Sequence, residues 1–225
     1  MRAVFETSFD ILYLTFVTVI GILMIKRSRP HSQYRLFGWM AIVLGAGDAF
    51  HLIPRAYALC TTGLENYTAA LGVGKWITSI TMTIFYVLLF EVWKKRYGMK
   101  KTPKLNALVY GLALVRIVLC MFPQNEWLNA HPPIVWGIIR NVPFALLGAV
   151  IILLFAWKVK ETRDRAFRWM ALTIVLSFAF YIPVVLWAEK IPMIGMLMIP
   201  KTCAYMWTIW IGYEAMKKSR LHSVS

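Results

Sequence analysis

The chain has 225 residues, 60% hydrophobic and only 16% charged, and 25 Lys and Arg against 10 Asp and Glu give it a formal net charge of +15. Soluble domains carry roughly 45–50% apolar and about 25% charged residues, so this composition excludes an ordinary water-soluble globule, intrinsic disorder, collagen and a disulfide scaffold. So basic a chain would elsewhere suggest nucleic acid, but here the placement of the charges points to a membrane and no nucleic-acid partner is expected.

A helix crossing the ~30 Å hydrocarbon layer needs ~20 mainly apolar residues. Seven stretches qualify, from Phe9 to Ile25, Tyr34 to Ile53, Ala69 to Trp93, Leu105 to Phe122, Ile134 to Trp157, Phe167 to Ala188 and Met193 to Met216. Their long continuous runs exclude barrel strands, which alternate over about ten residues. The expected fold is an all-α integral membrane bundle of seven transmembrane helices, one domain over residues 1–225. The first stretch is flanked by Glu6 and Asp10 and by Lys26, Arg27 and Arg29, with no small-residue cleavage site, so it reads as a retained helix and not a secretory signal.

In chain order, the second stretch carries Asp48, His51 and Arg55 at i, i+3 and i+7, one face of a helix. The third carries Lys75, Ser79 and Tyr86, and at its inner end Glu91 beside Lys94 and Lys95, read as a solvated ion pair. Arg116 lies in the fourth and Arg140 in the fifth. Thr173, Ser177 and Tyr181 stripe the sixth, and Lys201, Tyr205 and Thr208 the seventh. Rise per residue puts Asp48 ~10 Å, Lys201 ~12–15 Å, Arg116 ~13 Å and Arg140 ~9 Å below the outer edge, all in the outer half of the bilayer. Pro54, Pro143, Pro183 and Pro200 fall in the same slab, where each would free the carbonyl four residues back for water or a buried partner.

The basic residues sort by loop. Lys26, Arg27, Arg29 and Arg35 follow the first stretch; Lys94, Lys95, Arg96, Lys100, Lys101 and Lys104 the third; Lys158, Lys160, Arg163, Arg165 and Arg168 the fifth; Lys217, Lys218 and Arg220 the seventh. Against these eighteen, the other side holds only Arg2, Arg55, Lys75 and Lys190. The positive-inside rule then places the amino terminus outside and the carboxyl terminus in the cytoplasm, in a multi-pass protein of the plasma membrane. Cys60 and Cys120 share the outer side, where a disulfide is geometrically possible, although free thiols are the simpler reading.

Ionisable groups at membrane depth are costly and mark candidate sites. Arg116, Arg140 and Lys201 against Asp48 leave an excess of two positive charges, which implies an anionic ligand, a missing carboxylate or a neutral Lys201. The leading expectation is an outward-facing, net-positive polar cavity lined by Asp48, His51, Arg116, Arg140, Tyr181, Lys201 and Tyr205. It would bind an anionic small molecule or a lipid head group, as in a receptor, a carrier or a permeation path. Membrane lipids are the other expected partners; no cofactor and no metal are predicted, and no catalytic residue is assigned.

Two alternatives use the same residues. Asp48 and His51 could serve as acid and base in a membrane-embedded, lipid-directed hydrolase, although no HExxH, HxxxH or GxSxG is present. A retinal-like chromophore on Lys201 is the other. The segment from Phe180 to Trp187, FYIPVVLW, resembles helix 6 of microbial rhodopsins over about eight residues, and that resemblance implies a pocket around Tyr181, Pro183 and Trp187. The chain departs from that family where an aspartate one turn before the lysine is replaced by Leu197, and it has no carboxylate in the middle of helix 3.

Overall fold

The structure, a computed structural model, describes residues 2–188 and 190–221. Seven α-helices account for most of them: α1 (Arg2–Arg27), α2 (Gln33–Cys60), α3 (Thr68–Arg96), α4 (Pro103–Met121), α5 (Ile134–Thr162), α6 (Met170–Trp187) and α7 (Met198–Leu221). Short 3-10 turns at Leu64–Tyr67, Pro123–Asn125 and Pro192–Leu197 join them, and no strand occurs among the described residues. Helices consecutive in sequence pack side by side, α1 against α7 closes the circuit, and α3 also reaches α5. Six of the seven, α1 to α6, are long and apolar enough to cross a membrane.

The sequence reading had seven spanning stretches; the seventh is present as helix α7 but falls outside the six by composition. The last helix begins at Met198, not Met193, because Pro192–Leu197 winds as a 3-10 turn. It carries Lys201, Glu214, Lys217 and Lys218 on a background rich in Trp and Tyr. Pro200 therefore lies in the first turn of α7, where its missing N–H would have no partner in any case, and no interior carbonyl is freed. Pro54, Pro143 and Pro183 do lie inside helices, as expected.

Two other boundaries move outward. Residues Glu6 and Asp10 belong to α1, which starts at Arg2, and α2 runs through Pro54 to Cys60. Helices α2 and α3 approach closely. A Cβ at Gly47 would sit 1.9 Å from Thr81 Oγ1, and one at Gly74 2.4 Å from the Phe50 carbonyl oxygen. Small residues let two helices meet this closely in the absence of a hydrophobic drive between them. The contact fixes the height of Asp48 and His51 against α3.

The half of the bundle beside the α3–α4 and α5–α6 loops, called inner from the charge pattern of the sequence alone, with the other half called outer, is closed by aromatic rings. Phe37, Phe90, Trp93, Phe155 and Phe167 are all fully buried, and the Trp93 indole donates to the Leu154 carbonyl at 3.0 Å. Polar groups in the middle pair with one another: Tyr86 with Ser177 at 3.2 Å, and Thr208 with Thr173 at 2.8 Å.

Candidate functional site

The face of α2 predicted from spacing exists, and α1 meets it with a matching stripe. Tyr13 donates to Asp48 Oδ2 at 2.6 Å, and Arg55 donates to Glu6 Oε2 at 2.9 Å. Asp10, between Glu6 and Tyr13 on the same helix face, is within electrostatic reach of Arg55 and Asp48. Sequence reasoning had assigned neither Glu6 nor Asp10 to the outer slab. The signal was there: residues 6, 10 and 13 stand at i, i+4 and i+7, but a helix start drawn at Phe9 left out Glu6, and Asp10 was taken with the flank. Asp48 is therefore not the sole carboxylate of the outer half, a correction to the charge ledger that had set it alone against three cations.

Lys201 joins this side of the bundle to the other. Its side chain is buried, it is within electrostatic reach of both Asp48 and Arg116, and its ammonium stands 4.8 Å from the centre of the Tyr181 ring and 5.4 Å from that of Tyr205. No direct ion pair within 4 Å links it to Asp48. Cation–π contact of this kind supplies only part of what an ammonium loses on leaving water. The Tyr205 ring in turn packs edge-on against Phe85 at 5.6 Å.

Arg116, on α4, is only 2% exposed and its guanidinium lies 3.5 Å over the Phe144 ring. Tyr181 and Cys120 stand beside it, but Nε and Nη1 are buried without any hydrogen-bond partner. Its charged neighbour is another cation, Lys201. Among the described residues no carboxylate is within electrostatic reach of it; Glu6, Asp10 and Asp48 lie on α1 and α2. An unpaired buried donor costs ~1–3 kcal/mol and more for a charged group, so Arg116 is the least satisfied residue of the outer half.

Arg140 does not share this fate. Its Nη1 donates to Asn125 Oδ1 at 2.9 Å, and its plane lies 4.3 Å over the Trp127 ring. It anchors the outer connection between α4 and α5 and faces the interior only through Tyr181 and Cys120. Of the seven predicted site residues, Asp48, Lys201, Tyr205, Arg116 and Tyr181 form one continuous set. His51 borders it, its Nδ1 buried and unpartnered among Lys75, Arg55 and Lys201, and Arg140 lies at its rim. Cys60 is exposed, Cys120 is buried, and both are free thiols.

A polar cluster at the inner end went unnoticed in the sequence. Arg96, closing α3, donates from Nε and Nη2 to the two carboxylate oxygens of Asp164 at 2.5 and 2.7 Å, and Tyr97 adds a third bond at 3.0 Å. The Arg96 guanidinium also lies 4.0 Å over Phe167. The backbone amides of Ala166 and Phe167 complete the carboxylate's partners. Burial alone would raise the Asp164 carboxyl; the bonds and charge of Arg96 outweigh it and hold the group below its ordinary value. Burial and the same carboxylate push the Tyr97 phenol up. Nearby, Glu91 takes Lys94 at 2.8 Å as expected, together with the Tyr110 hydroxyl, whereas Lys95 turns to the His31 carbonyl at 2.9 Å.

Two cavities are defined. One of about 400 Å³ lies at the inner end, between Pro30, Ser32, Arg35, Trp39 and Lys95. The other, about 180 Å³, is an apolar groove between α5 and α6 that reaches Asn141, Phe144 and Tyr181. Among the described residues no three His, Cys, Asp or Glu side chains are grouped as metal ligands. Comparison with family models, with curated proteins and with solved structures finds no match.

Proposed function

We propose that the chain is a multi-pass protein of the plasma membrane, with the amino terminus outside and the carboxyl terminus in the cytoplasm, that binds an anion within the outer half of its bundle. The observation that carries this reading is Arg116: a guanidinium 2% exposed, with two donors unpartnered and a second cation, Lys201, as its charged neighbour. A guanidinium with no carboxylate in reach among the described residues, and a second cation beside it, make an expensive arrangement that an oxyanion between them would relieve. Tyr181 and Tyr205 supply hydroxyls at the same place, and Asp48 faces Lys201 from the opposite side. A receptor, a carrier or a permeation path would each use such a site. With Asp10 and Glu6 on the α1 side, the excess of positive charge is local to Arg116 and Lys201 and not bundle-wide.

The seventh crossing belongs to α7, which is shielded from lipid where it is polar: Lys201, Tyr205 and Thr208 are all buried. Eighteen basic side chains on one set of loops against four on the other support the orientation. Reporter fusions at Lys101 and Ser225 test it, and both should read cytoplasmic; an external signal at Ser225 would mean that α7 does not cross. The anion site is tested with the purified protein in nanodiscs of zwitterionic lipid. Sodium phosphate or butyrate should raise the melting temperature above that in chloride at matched ionic strength, and Arg116→Met should remove the rise. An equal rise in both proteins would place the effect elsewhere.

A further inference from the structure

The groove between α5 and α6 has a polar end, and that end is the wall of the Arg116 site. Ile138, Val142, Ala145, Ile182, Val185 and Leu186 make its apolar flanks. Where it meets Asn141 and Tyr181, the Tyr181 hydroxyl donates to Asn141 Oδ1 at 3.1 Å, and Asn141 Nδ2 donates to the Gly137 carbonyl at 2.8 Å. The Tyr181 ring also carries the Lys201 ammonium, and Phe144, which lines the groove too, carries the Arg116 guanidinium. Two edge-to-face rings, Tyr181 and Phe144 with centroids 6.1 Å apart, therefore line the apolar groove and also carry the two buried cations.

We propose that the ligand of the outer site is an anionic single-chain amphiphile, an alkyl chain ending in an oxyanion, which enters sideways from the outer leaflet between α5 and α6. This rests on the anion-binding reading of Arg116 and Lys201. Three features select this class over a small soluble anion. The groove lies level with the site and on the lipid-facing side of it: Val142 and Ile182 are 51% and 44% exposed on the bundle surface. Its volume of about 180 Å³ falls below the ~300–1,000 Å³ of a pocket enclosing a whole drug-sized ligand, but suits part of a chain whose remainder stays in lipid. The charged groups stacked on Tyr181 and Phe144 are both cations, so an oxyanion head is drawn toward them while a neutral or cationic head is not. Pro143 and Pro183 interrupt the amide ladders of both helices at this level, which lets the two helices part with fewer bonds to break.

The test uses palmitate bearing a diazirine on its chain, photolysed with the protein in zwitterionic nanodiscs. Label is expected on α5 and α6 peptides that include Val142 and Ile182, displaced by unlabelled palmitate and not by methyl palmitate. Arg116→Met should lower labelling at least tenfold. Val142→Trp, which fills the groove from an exposed position without touching the cations, should do the same for palmitate yet leave stabilisation by phosphate or butyrate unchanged. If methyl palmitate displaces the label as well as palmitate does, or if Val142→Trp labels like the wild type, the amphiphile assignment fails while the anion site stands. If phosphate, butyrate and palmitate all leave the wild type unchanged, the anion site itself is wrong.

Discussion

At the inner end of the bundle Arg96 gives two donors to one carboxylate and rests on an aromatic ring; at the outer end Arg116, more deeply buried, rests on an aromatic ring in the same way and leaves two donors with no partner. The two arginines thus share packing and differ in completion. Around Arg96 the network is closed: Asp164 receives Arg96, Tyr97 and two backbone amides. Around Arg116 and Lys201 it is open. A closed network stabilises one conformation, whereas an open one in a low-dielectric interior is costly until something fills it. On the proposed anion-binding reading, the half around Arg96 is the frame and the half around Arg116 the working part.

The largest effect should come from breaking the closed network. Asp164→Ala leaves Arg96 half-buried without its carboxylate and should lower unfolding stability by ~3 kcal/mol, read from thermal or denaturant melts in detergent. The same pair gives a pH signature. The folded carboxyl is held below its ordinary value, so its contribution is complete above about pH 4 and is lost as the pH falls further, through the folded value. Stability should be flat from pH 7 to pH 5 on this account and drop in more acid solution, and Asp164→Asn should start lower and lack that drop.

Asp48→Asn should have a smaller effect, about 1 kcal/mol, because an amide oxygen can still accept from Tyr13 and because Asp10 and Glu6 remain as carboxylates on that side. A loss as large as that of Asp164→Ala would show that Asp48 and Lys201 form a closed pair after all. Arg140→Gln should cost about as much, through its bond to Asn125 and its stacking on Trp127, and proteolysis of the outer connection between α4 and α5 should quicken. Smallest for stability, and opposite in sign to Asp164→Ala, is Arg116→Met. Replacing an unpaired buried cation by an apolar chain of similar length should leave the melting temperature unchanged or slightly raised.

Long apolar runs and the asymmetry of the loops made the helices legible, because the length of a span and the charge of its flanks are local properties of the sequence. The face of α2 with Asp48, His51 and Arg55 was legible for the same reason. What failed was local too, in a different sense. Glu6 and Asp10 looked like a solvated flank because their partners, Arg55 and the Asp48 face, lie some forty residues on. Asp164 drew no notice in the sequence because its partner Arg96 is 68 positions away. Arg116 and Arg140 looked equivalent by depth, and only the outer connection, which brings Asn125 and Trp127 over α5, distinguishes them. The start of α7 was misplaced because Met193 to Leu197 is as apolar as the helix that follows it.

The claim that the outer half is built around a missing anion is tested most directly by one titration: the melting temperature of the wild type and of Arg116→Met in zwitterionic nanodiscs against increasing sodium phosphate at constant ionic strength. The account predicts a saturating rise for the wild type and a flat line for a variant whose starting stability is equal or higher. A wild type that does not respond, or an Arg116→Met protein that is strongly destabilised at zero phosphate, would show that Arg116 already has the partner it needs and that the site is structural.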